Sequence, residues 1–366
     1  MKKILHVVGA RPNFMKIAPI MREMAQYPDQ FKQMLVHTGQ HYDANMSQVF
    51  FEELDMPRPD VNLEVGSGSH ARQTAQVMQR FEPIILEHKP DWIIVPGDVN
   101  STIACALVAS KLGVKIAHVE AGLRSFDRSM PEEINRILTD QISDLLLTPS
   151  LDANDNLLRE GIAPDKIHFV GNVMIDTLVR LLPKAESLWP SLKAQHNLDR
   201  YILVTLHRPS NVDEPDTLSE IISAMMEVSQ QIPVLFPVHP RTLSRIEALG
   251  LNINSNGNNH LIMTNPLGYL DFLALQIHAT LLLTDSGGIQ EETTYLGVPC
   301  LTARPNTERP VTLTHGTNQL VKSQRDAIID ATEKALNSQA RCKQIPKLWD
   351  GLSSQRIVDV FLGDIK

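Results

Sequence analysis

The residues able to do chemistry fall into two sets. The first is Thr284-Asp285-Ser286-Gly287-Gly288-Ile289-Gln290-Glu291-Glu292, which follows the apolar Leu281-Leu282-Leu283 and opens a helical pattern that stops at Gly297. A strand, a glycine pair and a helix start make a place for a phosphate, because free backbone N–H groups and the helix dipole both favour an anion. Gly287 and Gly288 let a phosphate approach the backbone, and Ser286 can cap the helix or donate to the ligand. The pattern is not G-x-G-x-x-G and lacks a Walker lysine, which disfavours NAD and ATP folds. Glu291 and Glu292 lie in the first helical turn, where the dipole alone would explain them. A carboxylate one turn past a phosphate would also suit a ribose diol.

The second set is acidic. His118-Val119-Glu120-Ala121-Gly122-Leu123-Arg124 is followed by Pro131-Glu132-Glu133, and Asp98 stands in Pro96-Gly97-Asp98. Asp98, Glu120 and Glu132 are candidate acids and bases, since crowded carboxylates raise the proton affinity of at least one of them. Asp98 could instead cap the helix beginning near 101, and Glu132 could simply answer a helix dipole. Arg11 and Lys16 follow the first strand, while Arg304 and Arg309 follow the strand at 299–302. Fixed cations of this kind neutralise a pyrophosphate leaving group, although a lone arginine is more often a solvated surface residue. His207 ends one apolar strand and His239 another. There is no H-x-x-x-H on a clear helix and no Asp-x-Asp, so neither a metal nor another cofactor is expected.

These side chains must be positioned by strands. Apolar runs occur at 4–8, 34–37, 92–95, 115–119, 144–148 and 167–170, then at 201–206, 234–238, 260–264, 280–284, 299–302 and 319–321. They lack polar alternation and are separated by helical patterns, which implies parallel sheets covered on both faces. Arg11, Asp98, Glu120, His207, His239 and Ser286 all follow strand C-terminal ends, where open parallel sheets bind ligands. The pattern predicts a helix over 101–112 and another over 131–146, the latter with Ile134, Ile137, Leu138, Ile142 and Leu145 as its apolar face. Residues 183–200, with Pro183 and Pro190, read as a linker plus a helix, placing the domain boundary between about 172 and 200.

A chain of 366 residues allows about two domains. Its 42 acidic residues against 34 basic ones, a formal charge of −8, argue against a nucleic-acid partner or a membrane surface. The opening Lys2-Lys3-Ile4-Leu5-His6-Val7-Val8-Gly9 is too short in apolar residues for a signal peptide and reads as a buried strand. Cys105, Cys300 and Cys342 are too scattered for a metal clip, and Cys105 and Cys300 sit in apolar runs as core thiols. The expectation is a cytoplasmic, soluble protein.

Seven motifs in order give the chain a resemblance. They are Gly9-Ala10-Arg11-Pro12 with Lys16, Thr38-Gly39-Gln40-His41, Gly97-Asp98, His118 to Arg124, Pro131-Glu132-Glu133-Ile134-Asn135-Arg136, Thr284 to Glu292, and Thr307-Glu308-Arg309-Pro310. Together they resemble a non-hydrolysing UDP-N-acetylglucosamine 2-epimerase over nearly the whole chain. The resemblance implies an α/β, GT-B architecture, with two Rossmann-like parallel-sheet domains facing a central cleft. Residues 1–172 would form the first domain and 173–352 the UDP-binding second, with a last helix (353–366) returning to the first.

The implied reaction converts UDP-GlcNAc to UDP-ManNAc by elimination of UDP to a 2-acetamidoglucal and re-addition. By resemblance, Asp98, Glu120 and Glu132 supply the proton chemistry and His207 assists at the phosphate or leaving oxygen. Arg11, Ser286, Gly287, Gly288 and Arg309 would contact the diphosphate, Glu292 the ribose, and Leu267 and Phe272 the uracil. The implied partners are a UDP-sugar and a second copy of the chain, as a homodimer. Val99 and Ser210 depart from the residues common at those positions, and Tyr42-Asp43-Ala44 differs from the pattern of bacterial relatives that a second UDP-GlcNAc activates, which leaves regulation open. The rival readings are a 2-epimerase of another UDP-sugar, such as a diacetamido-uronic acid, a GT-B glycosyltransferase, and a UDP-sugar sensor without turnover.

Overall fold

Apolar runs buried on both faces become two parallel sheets. A computed structural model describes residues 1–39, 53–250, 260–337 and 344–363. The first sheet contains β1 (Lys2–Val8), β2 (Phe31–His37), β3 (Val61–Asn62), β4 (Trp92–Pro96), β5 (Lys115–Val119), β6 (Leu145–Thr148) and β7 (Ile167–Phe169). Their order is β3-β2-β1-β4-β5-β6-β7. The second contains β8 (Ile202–Thr205), β9 (Val234–Pro237), β10 (Leu261–Thr264), β11 (Leu281–Thr284), β12 (Cys300–Ala303) and β13 (Asn318–Val321), in the order β10-β9-β8-β11-β12-β13. Every pairing is parallel, which is the doubly wound α/β arrangement. The strand that the apolar pattern misses is β3, a two-residue edge strand with a half-buried valine and an exposed asparagine.

In each sheet the strand order reverses once, between β1 and β4 and between β8 and β11. At such a reversal the crossovers depart to opposite faces and leave a crevice beyond the strand ends, where open α/β sheets take ligands. Arg11 and Asp98 flank the first reversal; His207 and Ser286 flank the second.

The chain divides into two compact units, Met1–Val179 with Lys347–Lys366, and Arg180–Pro346. In the first, Leu5, Val7, Ile93 and Val95 of the sheet pack with Val77, Phe81 and Ile85 of helix His70–His88. The closing helix Ser353–Leu362 lies on helix Arg11–Met24, and Phe361 meets Trp92 edge-on at 5.3 Å between ring centroids. Buried Trp349 donates its indole N–H to the Pro149 carbonyl at 2.9 Å. Asp176 accepts the backbone N–H groups of Ser353 and Ser354 at 3.1 and 2.6 Å. In the second unit, Val204, Phe236, Leu283 and Leu301 of the sheet pack with Ile221 and Met225 of helix Pro215–Val228 and with Ile328 of helix Arg325–Asn337.

Two helices differ from the sequence reading. Residues 183–200 do not form a linker plus a helix: one helix, Val173–His196, carries both Pro183 and Pro190 inside it. The helix expected over 131–146 spans Pro131–Ile142. Ser143 is extended, and the Asp144 carboxylate takes the Ile116 N–H at 2.9 Å, which commits the chain to β6. Its expected apolar face is split: Ile137 and Ile142 are half-buried, Ile142 against the core, and Leu145 is buried in β6. Ile134 and Leu138 are 38% and 48% exposed, while Glu133, Asn135, Arg136, Thr139 and Asp140 are buried. Buried Cys105 and Cys300 agree with the core reading, and Cys342 lies outside the described residues. Among the described residues no helix is long and apolar enough to cross a membrane.

Candidate functional site

The first cluster is built on the ends of β1, β4 and β5. Asn13 links two of them: its amide oxygen accepts from Gly9 N and Ala10 N at 3.1 and 2.9 Å, and its NH2 donates to the Pro96 carbonyl at 3.1 Å. Gly97 follows with φ +65°, and a Cβ there would stand 2.9 Å from the Lys16 ammonium. Only glycine satisfies both the backbone conformation and that approach. Glu120 holds φ +70° without being glycine. Such backbone costs on the order of 1–3 kcal/mol and persists only where neighbours fix it. Here Glu120 N donates to Leu147 O at 3.0 Å, and the buried carboxylate ion-pairs with buried Lys16. Lys16, expected at the diphosphate, is also an ion-pair partner of Glu120.

Asp98 does not cap the next helix, whose N-cap is Val99. Its carboxylate, 28% exposed, accepts from Arg136 Nε and Nη2 at 3.0 and 2.9 Å. Arg136 also ion-pairs with Glu133. The Glu133 carboxylate takes Ser125 N, Ser125 Oγ and Phe126 N at 2.9, 3.0 and 2.9 Å, so this residue shapes the loop after β5. Half-buried Glu132 is the other carboxylate of that helical turn. Beneath them, fully buried His118 bridges Gly97 O at 2.8 Å and Asp140 Oδ1 at 2.6 Å. Burial opposes the charge of Asp140 most strongly, but His118 and Arg124 outweigh it and hold the carboxyl below the usual carboxylate range. Arg11 opens helix Arg11–Met24 beside this cluster, with its side chain exposed.

The second cluster lies at the ends of β8, β11 and β12. Ser286 is the N-cap of helix Gly287–Leu296, yet its side chain makes no cap hydrogen bond. The helix ends on Gly297, as its sequence implies. A Cβ on Gly287 would come 2.8 Å from Arg309 Cζ and 3.0 Å from a Glu308 oxygen. The absent side chain is what lets the guanidinium lie over the start of the helix, with Gly288 one position on. Arg309 pairs with Glu291 through Nε at 2.8 Å and with Glu308 through Nη1. Arg304 holds the other Glu308 oxygen at 2.8 Å. Glu291, whose dipole explanation sufficed, is thus a buried arginine partner.

His207 is 60% exposed, and its Nδ1 lies 2.8 Å from the fully buried Asp285 carboxylate. Glu292 is buried and accepts the Tyr269 hydroxyl at 2.9 Å. Tyr269 begins helix Tyr269–His278 behind Gly268, so the half-buried Leu267 and Phe272 flank the same turn. His239 instead caps its own helix, accepting Arg241 N at 3.3 Å.

Lys16, Asp98, Glu120 and Glu132 therefore gather in one unit, with Arg11 at the adjoining helix start. His207, Ser286, Gly287, Gly288, Glu292, Arg309, Leu267 and Phe272 belong to the other. Residues that the sequence reading left without a role are Asn13, His118, Arg136, Asp140 and Asp285. Polar residues interrupting or directly ending apolar strands, as His118 and Asp285 do, were the available signal. Among the described residues no group of three or more His, Cys, Asp or Glu could hold a metal ion.

The chain that carries both clusters is similar to known proteins over its length. A family model described as UDP-N-acetylglucosamine 2-epimerase matches residues 22–362. The chain is 44% identical over 372 residues to a UDP-N-acetylglucosamine 2-epimerase of Methanococcus maripaludis, covering 100% of each. It is 44% identical over 337 residues to a UDP-2,3-diacetamido-2,3-dideoxy-D-glucuronate 2-epimerase of Pseudomonas aeruginosa, covering 91% of this chain and 92% of that protein. A solved structure of Methanocaldococcus jannaschii UDP-GlcNAc 2-epimerase in complex with UDP-GlcNAc and UDP aligns with TM-score 0.90 at 43% identity, over 99% of each chain. A match of this depth runs through both sheets and both strand-order reversals, and the chain belongs to the UDP-N-acetylglucosamine 2-epimerase family.

Proposed function

We propose that the protein interconverts UDP-GlcNAc and UDP-ManNAc by elimination and re-addition of UDP. The C2 proton passes to a carboxylate, the C1–C2 double bond forms, and the electron pair of the C1–O bond leaves on the pyrophosphate oxygen. Re-addition reverses each step, with the proton delivered to the opposite face of C2. Asp98, Glu120 and Glu132 are the groups for the two proton transfers. Asp98 and Glu120 enter as ion-paired carboxylates, beside Arg136 and Lys16. The second unit takes the nucleotide: the Ser286 helix start and Arg309 meet the diphosphate, Glu292 the ribose, and Leu267 and Phe272 the uracil. Arg11 adds positive charge at the first unit's strand ends.

The observation that carries this reading is the Lys16–Glu120 pair at a strained backbone position over Gly97. A transferase needs one base and has no use for three carboxylates on two loops and a helix start of one unit. The test is incubation with UDP-GlcNAc in D2O, with the sugar followed by NMR. Epimerisation yields UDP-ManNAc carrying deuterium at C2. Free ManNAc with UDP, or an untouched C2, would refute the proposal. Turnover of the diacetamido-glucuronate analogue alone would move the substrate assignment to that sugar.

A further inference from the structure

Asp285 has no part in the chemistry above, yet it is the most heavily hydrogen-bonded carboxylate of the second cluster. It directly follows β11, and His207 lies two residues past the neighbouring strand β8. Its two oxygens accept the His207 backbone N–H, both at 3.1 Å, and one also accepts Arg208 N at 2.9 Å and Asn211 Nδ2 at 3.1 Å. The remaining partner is the His207 ring, through Nδ1 at 2.8 Å. Backbone N–H groups and an amide NH2 can only donate, so the carboxylate meets them as an acceptor.

We infer that Asp285 is a positioning residue for His207: it takes the Nδ1–H, and so presents Nε2 to the pyrophosphate oxygen that departs and returns. The inference rests on the proposed function. Three features support it. The His207 ring is 60% exposed while Asp285 is fully buried, so the pair does not exist to bury the imidazole. A buried charge is costly, and holding an exposed ring in one orientation is a use for it. Finally, Arg208 Nε donates to the Asp285 carbonyl at 3.1 Å, and the next residue is Ser286. Histidine and helix start are thereby registered through a single peptide unit.

Burial works most strongly against the Asp285 charge, but the donors from His207, Arg208 and Asn211 hold its carboxyl below the usual range. During elimination the C1–O electron pair moves to the phosphate oxygen, and protonated His207 donates its Nε2–H there. In re-addition the phosphate oxygen returns that proton to Nε2 as it bonds C1 again, so none is gained or lost over the cycle. Asp285 remains ionised throughout and offsets the imidazolium charge.

The experiment is a cycle of full-length variants. Asp285→Asn should lower kcat roughly 100-fold, with KM and UDP affinity changed less than about threefold. In a His207→Gln background, the same substitution should cost no more than about threefold further, because its route of action is already gone. Losses that multiply would overturn the inference, since a purely structural role acts in both backgrounds. Should Asp285→Asn fail to fold, ¹⁵N NMR of the intact protein decides: neutral His207 should carry its proton on Nδ1, and the Nε2–H tautomer would refute the pairing. An inactive wild type would sink the proposed function, and the observed tautomer would still decide for or against the pair.

Discussion

At Gly287 a single methyl group would reach the Arg309 guanidinium. Because the obstructed atoms end a flexible side chain, Gly287→Ala should fold nearly as well as the parent while the arginine moves aside. We expect UDP to bind about tenfold more weakly, roughly 1.4 kcal/mol, measured by calorimetry beside an unchanged melting curve. Glu120→Gln is expected to do the reverse. It should cut C2 deuterium exchange by about a thousandfold while UDP affinity stays within about threefold, since the chemistry is lost and the unit proposed to take the nucleotide is untouched. A large loss of UDP binding would show Glu120 to be structural. The same residues mark how far the sequence could be read. Ser286, Glu120 and Asp98 are legible because each follows an apolar run. Lys16 was legible as a cation but not as the partner of Glu120, and Arg136 and Asp285 carried no role. Such pairs are made across separate strand ends, and no spacing along the chain encodes them.

Elements were legible where hydrophobic period and burial agree. All twelve apolar runs became strands, whereas β3, with only Val61 and Asn62, offered no run to detect. Helix Pro131–Ile142 defeated the period because its buried face is spent on the Asp98 and His118 networks, so Glu133, Arg136 and Asp140 point inward. Helix Val173–His196 shows tertiary context carrying two prolines that local preference would use as stops. The sheet centre also makes a pH prediction. On β1, burial pushes the imidazole of His6 down from 6.5 to about 4 against the bond to Gln33. The unfolded chain therefore binds a proton in a range where the native one does not. The contribution is full above 6.5 and is lost as pH falls to about 4. His6→Leu should flatten urea-measured stability over that window, by about 3 kcal/mol relative to the parent. An unchanged slope would place the sensitivity elsewhere; Asp140 and Asp285, whose carboxyls are held low, add theirs only at more acidic pH.

For the whole molecule, the division into two units gives the last stretch of chain an outsized role. Residues 347–366 belong with 1–179, and they bring Trp349, Ile357, Val358 and Phe361 into that unit's interior. Losing one large buried aromatic commonly costs about 3–5 kcal/mol, and this segment supplies two. A chain ending at Pro346 should thus lose hydrogen-exchange protection in β1 and β4, while residues 180–346 keep theirs and still bind UDP. Retained protection in β1 would refute the dependence. The return of the C-terminal helix also sets an order of events on the ribosome. Residues 1–179 wait for residues 347–363, so the unit of residues 180–346, translated in between, has its complete sequence earlier. A nascent chain stalled before Trp349 would expose unfinished apolar surface at its leading end, and that end is where a chaperone would be found bound.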